Sequence, residues 1–258
     1  MEIIFLGTGS SMGTPVIGCP CAVCQSGDSR NQRTRASILV RAGTRNLLVD
    51  PGPDLRVQML REGIDHLDAV FVTHIHADHV NGIDDLRSFN YLQREVIPCY
   101  ADQFTIDSLN ERFSYCFAPP DPSWSKPSLS AHVMTDKARW DEIEVTPVPV
   151  MHGKLPILGY RFNQAAYLTD VKTVPESSMT LLRDLDLLIL DCLRYEDHPT
   201  HLSVDEALDL ARRIDARRTI FTHMTHDIDF DTLSASLPSG MELAYDGLHV
   251  QVGAQGAC

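Results

Sequence analysis

The stretch Thr73-His74-Ile75-His76-Ala77-Asp78-His79 sets three imidazoles and a carboxylate within six residues, directly behind the apolar run AVFV. Alternation along an extended chain throws His74 and His76 to one side, and a turn after them swings Asp78 and His79 into the same space. Imidazole and carboxylate together suit zinc, manganese or iron, and two such sets hold two ions about 3.5 to 4 Å apart, as in dinuclear hydrolases. The competing reading, a polar strand end with hydrogen-bonded histidines, accounts poorly for so dense a cluster. His152 in VMHG, Asp170 in YLTDV and His223 in IFTH each close an apolar run of their own. Their side chains would therefore also emerge at strand ends, where sites are usually built.

A second constellation is Cys19-Pro20-Cys21-Ala22-Val23-Cys24. Three thiolates at this spacing wrap one zinc and need a fourth ligand from elsewhere to complete a tetrahedron. Free thiols are the alternative. Cys99, Cys116 and Cys192 sit in apolar surroundings and read as buried small hydrophobes. Seven cysteines in 258 residues are too sparse for a disulfide scaffold.

These residues need elements to hold them. Residues 2 to 6, 36 to 41, 46 to 50 and 69 to 74 read as strands, and residues 97 to 101 as another. Leu55, Met59 and Leu60 form one helical stripe that ends at Gly63, with Asp54 as its N-cap. FTIDSLNERF reads as an amphipathic helix. The second half offers strands near 142 to 150, 157 to 162, 165 to 169, 187 to 192 and 218 to 222, and helices near 175 to 183 and 203 to 213. Ser203 with Glu206 three residues on is a capping box. Strands grouped with helices in each half predict two sheets packed face to face with helices outside, in a single domain over 1–258. Two loops stand out, a Cys-rich one at about 18–28 and a Pro-rich one at about 118–127.

Lys and Arg number 22 against 35 Asp and Glu, a net charge of −13. No basic face is available to neutralise a polynucleotide backbone, so tight nucleic-acid binding is not expected. No apolar run reaches the length of a membrane span, and the expectation is a soluble, cytoplasmic protein, with a homodimer left open.

Taken together, HIHADH with the later His152, Asp170 and His223 resembles the metallo-β-lactamase fold, from FLGTGS to the C-terminal YDGLHV. That likeness implies a four-layer αββα sandwich. It assigns His74, His76 and His152 to one metal, Asp78, His79 and His223 to a second, and Asp170 to a bridge between two Zn2+ or Mn2+ ions. Asp50 in LLVDPGPD matches the aspartate behind the ligands. GTGS, GCPCAVC, HIHADHVNG and THMTH are together similar to the PhnP-type phosphodiesterases, which implies hydrolysis of small, cyclic phosphodiesters. The same likeness nominates His226 as fourth ligand of one structural Zn2+ with Cys19, Cys21 and Cys24. It also makes His201 the proton donor to the leaving group, with His198 as its competitor, and lets Asp78 orient the attacking water. No long arm of the kind that tRNase Z uses to grip tRNA is visible. A thioester or lactone hydrolase, and a PqqB-like oxidase or carrier, are the alternatives, and an intact HIHADH favours hydrolysis.

Three groups of weaker candidates complete the reading. Arg87 is either a substrate-phosphate contact or the partner of Asp84 or Asp85. Trp124 and Trp140 form either a stacking wall or core. Arg30, Arg33 and Arg35 form a local basic cluster that either attracts phosphate or, the favoured reading, is a solvated surface patch.

Overall fold

The computed structural model describes residues 1–119 and 123–253. The chain lays down β1 (Glu2–Gly7), β2 (Ser37–Ala42), β3 (Arg45–Val49), β4 (Ala69–Phe71), β5 (Ile97–Ala101) and β6 (Leu129–Val133). It then crosses to β7 (Ala138–Trp140), β8 (Ile143–His152), β9 (Leu155–Phe162), β10 (Ala165–Leu168), β11 (Leu187–Asp191), β12 (Arg218–Thr222) and β13 (Met241–Leu243), and returns with β14 (His249–Gln251). Among the described residues these form two seven-stranded sheets, β14-β1-β2-β3-β4-β5-β6 and β13-β12-β11-β10-β9-β8-β7.

The helices are α1 (Leu55–Glu62), α2 (Ala77–Val80), α3 (Arg87–Gln93), α4 (Gln103–Arg112), α5 (Ser114–Phe117), α6 (Glu176–Met179), α7 (Val204–Ile214) and α8 (Phe230–Ser234). Alternate residues of each sheet feed opposite layers. Ile3, Phe5, Val49 and Phe71 face Val145, Tyr160, Phe162 and Ile189 between the sheets. Ile4, Leu6, Leu48 and Val70 pack outward on Leu55, Met59, Phe89 and Leu109. Leu168, Leu188 and Leu190 pack outward on Ala207, Leu210 and Ala211. Burial on both faces explains why the strands are nearly continuous apolar runs, and the result is the expected αββα sandwich. No helix among the described residues is long and apolar enough to cross a membrane.

Strands β3 to β6 run parallel in one sheet and β10 to β13 in the other. Parallel neighbours need crossovers, which α1, α4, α7 and α8 supply, so the ends of β3, β4, β10, β11 and β12 open on one rim. α7 carries the reciprocal capping box of Ser203 and Glu206.

Several expectations are corrected. Asp54 occupies the N-cap position of α1 as expected, but its side chain makes no cap bond, because its carboxylate takes the Arg35 main-chain N–H at 2.9 Å and the Arg35 guanidinium. Leu60 faces solvent, and Gln58 joins Leu55 and Met59 on the buried side. The strand before the histidines ends at Phe71, two residues short of Thr73. The helix near 175 to 183 is a single turn followed by a 3-10 turn, Thr180–Leu182. Strands β6, β7, β13 and β14 had no sequence signal strong enough to name them.

The arginine patch is also corrected. Arg33 is buried, donating to Asn31 and to the carbonyls of Thr225 and Ile228, while Arg30 pairs with Asp28 and Arg35 with Asp54. Trp140 packs against Phe71 and Tyr100, whereas Trp124 is exposed and stacks on Tyr115. Of the Pro-rich loop, Pro120, Asp121 and Pro122 lie outside the described residues.

Candidate metal centre

Six strand ends deliver the polar groups of the rim: Asp50 after β3, His74 to His79 after β4, His152 at the end of β8, Asp170 after β10, Asp191 at the end of β11, and His223 after β12. Asp50, Asp170 and His223 hold φ values of 60°, 56° and 62°. The left-handed region is costly for side chains other than glycine and persists where the surroundings fix it, often at functional sites. Here it bends each chain sharply off its strand and turns the side chain into the rim.

Two groups of ligand atoms result, each with all its members within 4.8 Å of one another: His74, His76, His152 and Asp170 in one, Asp78, His79, Asp170 and His223 in the other. Asp170 belongs to both. Its Oδ1 lies 3.8 Å from His74 Nε2, and its Oδ2 lies 3.2 Å from His79 Nε2 and 3.3 Å from His223 Nε2. Although the strand stops early, His74 Nε2 and His76 Nδ1 still approach to 3.0 Å. Arg112 donates to the Ile75 carbonyl and to Asn81, and so holds the turn that carries these residues.

Behind the ligands, Asp50 accepts from His79 Nδ1 at 2.8 Å and from the Thr73 N–H and hydroxyl. His152 Nδ1 donates to the Thr200 carbonyl at 3.0 Å. These contacts fix tautomers so that the Nε2 atoms face inward, as metal-binding histidines require. Asp191 lies 3.4 Å from His201 Nδ1 and 3.3 Å from His223 Nδ1, and accepts the Leu202 N–H.

Charge follows this geometry. Burial opposes a charge on His79, yet the carboxylates of Asp170, Asp50 and Asp78 raise it well above the ordinary histidine range. His223 is likewise opposed by burial but carried to about 10 by Asp170, Asp191 and Asp78. Burial and the neighbouring His79 push His74 well down. Burial disfavours the Asp170 carboxylate, and His223, His79 and His74 still hold it well below the usual carboxylate range. The Nε2 atoms of His79 and His223 are buried without an aligned hydrogen-bond partner among the described residues. Unpartnered imidazole nitrogens converging with a shared carboxylate fit two divalent cations in donor type and number.

The Cys cluster closes against the loop after β12. Cys19 Sγ and Cys21 Sγ each lie 3.3 Å from His226 Nδ1, and the four ligand atoms, with Cys24, are mutually within 4.8 Å. The backbone N–H of Cys24, then His226, draw the Cys21 thiol down to about 6, while burial lifts Cys24 to about 11. Three sulfurs and one imidazole fit a tetrahedral zinc. Cys99, Cys116 and Cys192 are buried in the core.

His201 is buried with Nε2 3.9 Å from Asp170 Oδ1, and its ring stacks on His223 at 4.9 Å. His198 also lines the cleft, touching Thr200. Arg87 forms a 2.6 Å ion pair with Asp84 and is not on the cleft wall, so its position does not support a substrate contact. Asp191 and the Thr200 carbonyl were missed in the sequence. Asp191 had a signal, since LLILD ends a strand on aspartate as LLVD does at Asp50.

Residues 45–224 match the family model described as beta-lactamase superfamily domain. A diphosphatase of the PhnP family has a crystal structure similar at TM-score 0.89, with 41% identity over 97% of both chains. Among curated proteins, an octanoyltransferase of Porphyromonas gingivalis is 38% identical over 99% of this chain, which spans only 52% of that protein. A ribonuclease Z of a Mycobacterium species is 26% identical, over 86% of this chain and 84% of its own length.

Proposed function

Since the chain belongs to the beta-lactamase superfamily and, within it, to the PhnP family, we propose that it is a dinuclear metal-dependent hydrolase of small phosphodiesters. The observation that carries this reading is the meeting of two ligand groups at the two oxygens of Asp170. In this reading His74, His76 and His152 hold one ion, Asp78, His79 and His223 the other, and Asp170 both. When bound, two divalent ions supply a water nucleophile near neutral pH and neutralise charge on the phosphoryl oxygens.

The chain's own residues do the rest. Asp78, on the cleft wall, orients the attacking water as well as holding an ion. His201 Nε2 faces the cleft while its Nδ1 lies 3.4 Å from Asp191, and in this reading Nε2 hands a proton to the departing alkoxide. The cleft volume of about 320 Å³ suits a substrate of roughly mononucleotide size, and the charge of −13 disfavours a polynucleotide.

The likeness to the octanoyltransferase favours a second reading, hydrolysis of an acyl thioester. The chain spans about half of that protein, so the match leaves open which half carries acyl chemistry. A metal-supplemented screen over bis-nitrophenyl phosphate, cyclic ribose phosphates, 2′,3′-cyclic nucleotides and acyl thioesters tests the two. Turnover of phosphodiesters alone supports the first reading, and turnover confined to thioesters overturns it.

A further inference from the structure

His198 and His201 sit on an excursion, residues 195–202, that belongs to no helix or strand and is closed at its base by a bridge between Arg194 and Ser203. Among the described residues, no main-chain N–H of residues 195–201 reaches a main-chain carbonyl. Regular secondary structure therefore does not fix where His201 lies, and contacts from outside the segment must do so.

Such contacts come from the ends of β8 and β10. His152 Nδ1 donates to the Thr200 carbonyl at 3.0 Å. Gly153, next in the chain at φ 60°, lies so close that a Cβ there would stand 2.7 Å from Thr200 Cγ2. Lys172, two residues after Asp170, donates to Asp197 at 2.7 Å and to the two oxygens of Glu206 at 2.6 and 2.7 Å. Glu206 in turn accepts the N–H of Ser203, where the excursion ends and α7 begins. One ammonium thus ties the middle of the excursion to its end. Its own backbone is anchored, since the Lys172 N–H donates to the Met151 carbonyl at 2.8 Å, beside His152. The lysine side chain is only 19% exposed, and a cation shared by two carboxylates is held more firmly than an isolated surface pair.

We propose that Lys172 is a positioning residue, which holds the excursion 195–202 against the loop of Asp170 and so sets His201 Nε2 at the distance from the reacting phosphate that proton transfer requires. This rests on the phosphodiesterase reading, in which His201 is the donor. Lys172 touches neither substrate nor ligand in this account and acts only through the histidine. Proton transfer demands hydrogen-bond reach, so a small displacement of an otherwise intact imidazole is enough to slow it.

The test compares 2′,3′-cyclic CMP, whose leaving group is an alkoxide, with bis-nitrophenyl phosphate, using zinc- or manganese-loaded full-length protein. Lys172→Met is expected to lower kcat on the cyclic nucleotide by about 10- to 100-fold with little change in KM, while bis-nitrophenyl phosphate loses much less and metal content stays intact. Lys172→Arg should recover part of the loss. In the double variant Lys172→Met/His201→Ala the two losses should not add, because the lysine works through the histidine. Equal losses on both substrates, loss of metal, wild-type rates or additive effects each overturn the assignment. Should Lys172→Met fail to fold, Asp197→Asn decides: its side chain is 81% exposed, a smaller loss of the same selectivity is expected, and wild-type rates overturn the assignment. If the wild type hydrolyses neither substrate, the phosphodiesterase reading fails, and amide exchange at Leu202, whose N–H donates to Asp191 at 3.0 Å, tests the tie by itself. Faster exchange in Lys172→Met supports it, and an unchanged rate overturns it.

Discussion

Asp191 Oδ2 lies 3.4 Å from His201 Nδ1, and the other oxygen of the same carboxylate lies 3.3 Å from His223 Nδ1. One buried aspartate thus orients both a proposed metal ligand and the proposed proton donor, whose rings stack 12° from parallel. Asp191→Asn keeps the shape but can present an N–H to either imidazole. Metal affinity or turnover is expected to fall about 10- to 100-fold, the usual cost of losing a group behind a ligand. Paired metal analysis and kinetics on one preparation check this, and wild-type values for both would remove Asp191 from the centre.

His201→Ala is expected to slow substrates with alkoxide leaving groups by about 10²- to 10⁴-fold while metal content stays intact. Nitrophenolate departs without a proton, so bis-nitrophenyl phosphate should suffer much less. Equal losses on both substrates would argue for a binding role. A selective loss in His198→Ala instead would transfer the assignment to that residue.

Zinc- or manganese-loaded protein is expected to carry three ions per chain, two in the groups that share Asp170 and one among Cys19, Cys21, Cys24 and His226. Chelation should abolish activity before it removes the third ion, because a closed site with thiolate ligands releases its ion less readily than an open one. At most one ion per chain, measured by mass spectrometry of loaded protein, would end the dinuclear reading.

Cys21→Ser should loosen the third ion and lower the melting temperature, since zinc held by a folded site contributes directly to folding free energy. Activity should fall only as far as the loop bearing His223 and His226 shifts. An unchanged metal count together with an unchanged melting temperature would refute the clip.

His249 on β14 donates to Glu62 of α1 at 3.0 Å through Nε2 and to Glu2 of β1 at 3.2 Å through Nδ1. Glu62 first, against a desolvation cost, and then Glu2 raise its pKa above the ordinary 6.5. A raised folded value means the stabilisation is fully present below about 6.5 and is lost as pH rises through the folded pKa. The ring is 44% exposed, so the effect is modest. NMR titration should find the raised pKa in the wild type and a value closer to 6.5 in Glu62→Gln. An identical midpoint in the two proteins would show that Glu62 does not hold the proton.

Local spacing along the chain carries the chemistry of the candidate ligands and much of the scaffold around them. HIHADH and the Cys cluster are local in the chain, and local spacing survives in the words of the sequence. The capping box at Ser203 and the apolar runs ending at His152, Asp170 and His223 are equally local. The remaining features emerge only on folding, because they depend on partners far apart in sequence. β14 exists because it pairs with β1, Glu2 against Gln251, a contact that no local pattern encodes. Arg33 looked like a surface cation until the carbonyls of Thr225 and Ile228, nearly 200 residues on, enclosed it. Asp54 lost its capping role to Arg35 for the same reason. Asp191 and the Thr200 carbonyl acquired their tasks only once separate strand ends met on one rim, and that meeting required backbone turns at Asp50, Asp170 and His223 that side-chain composition does not announce.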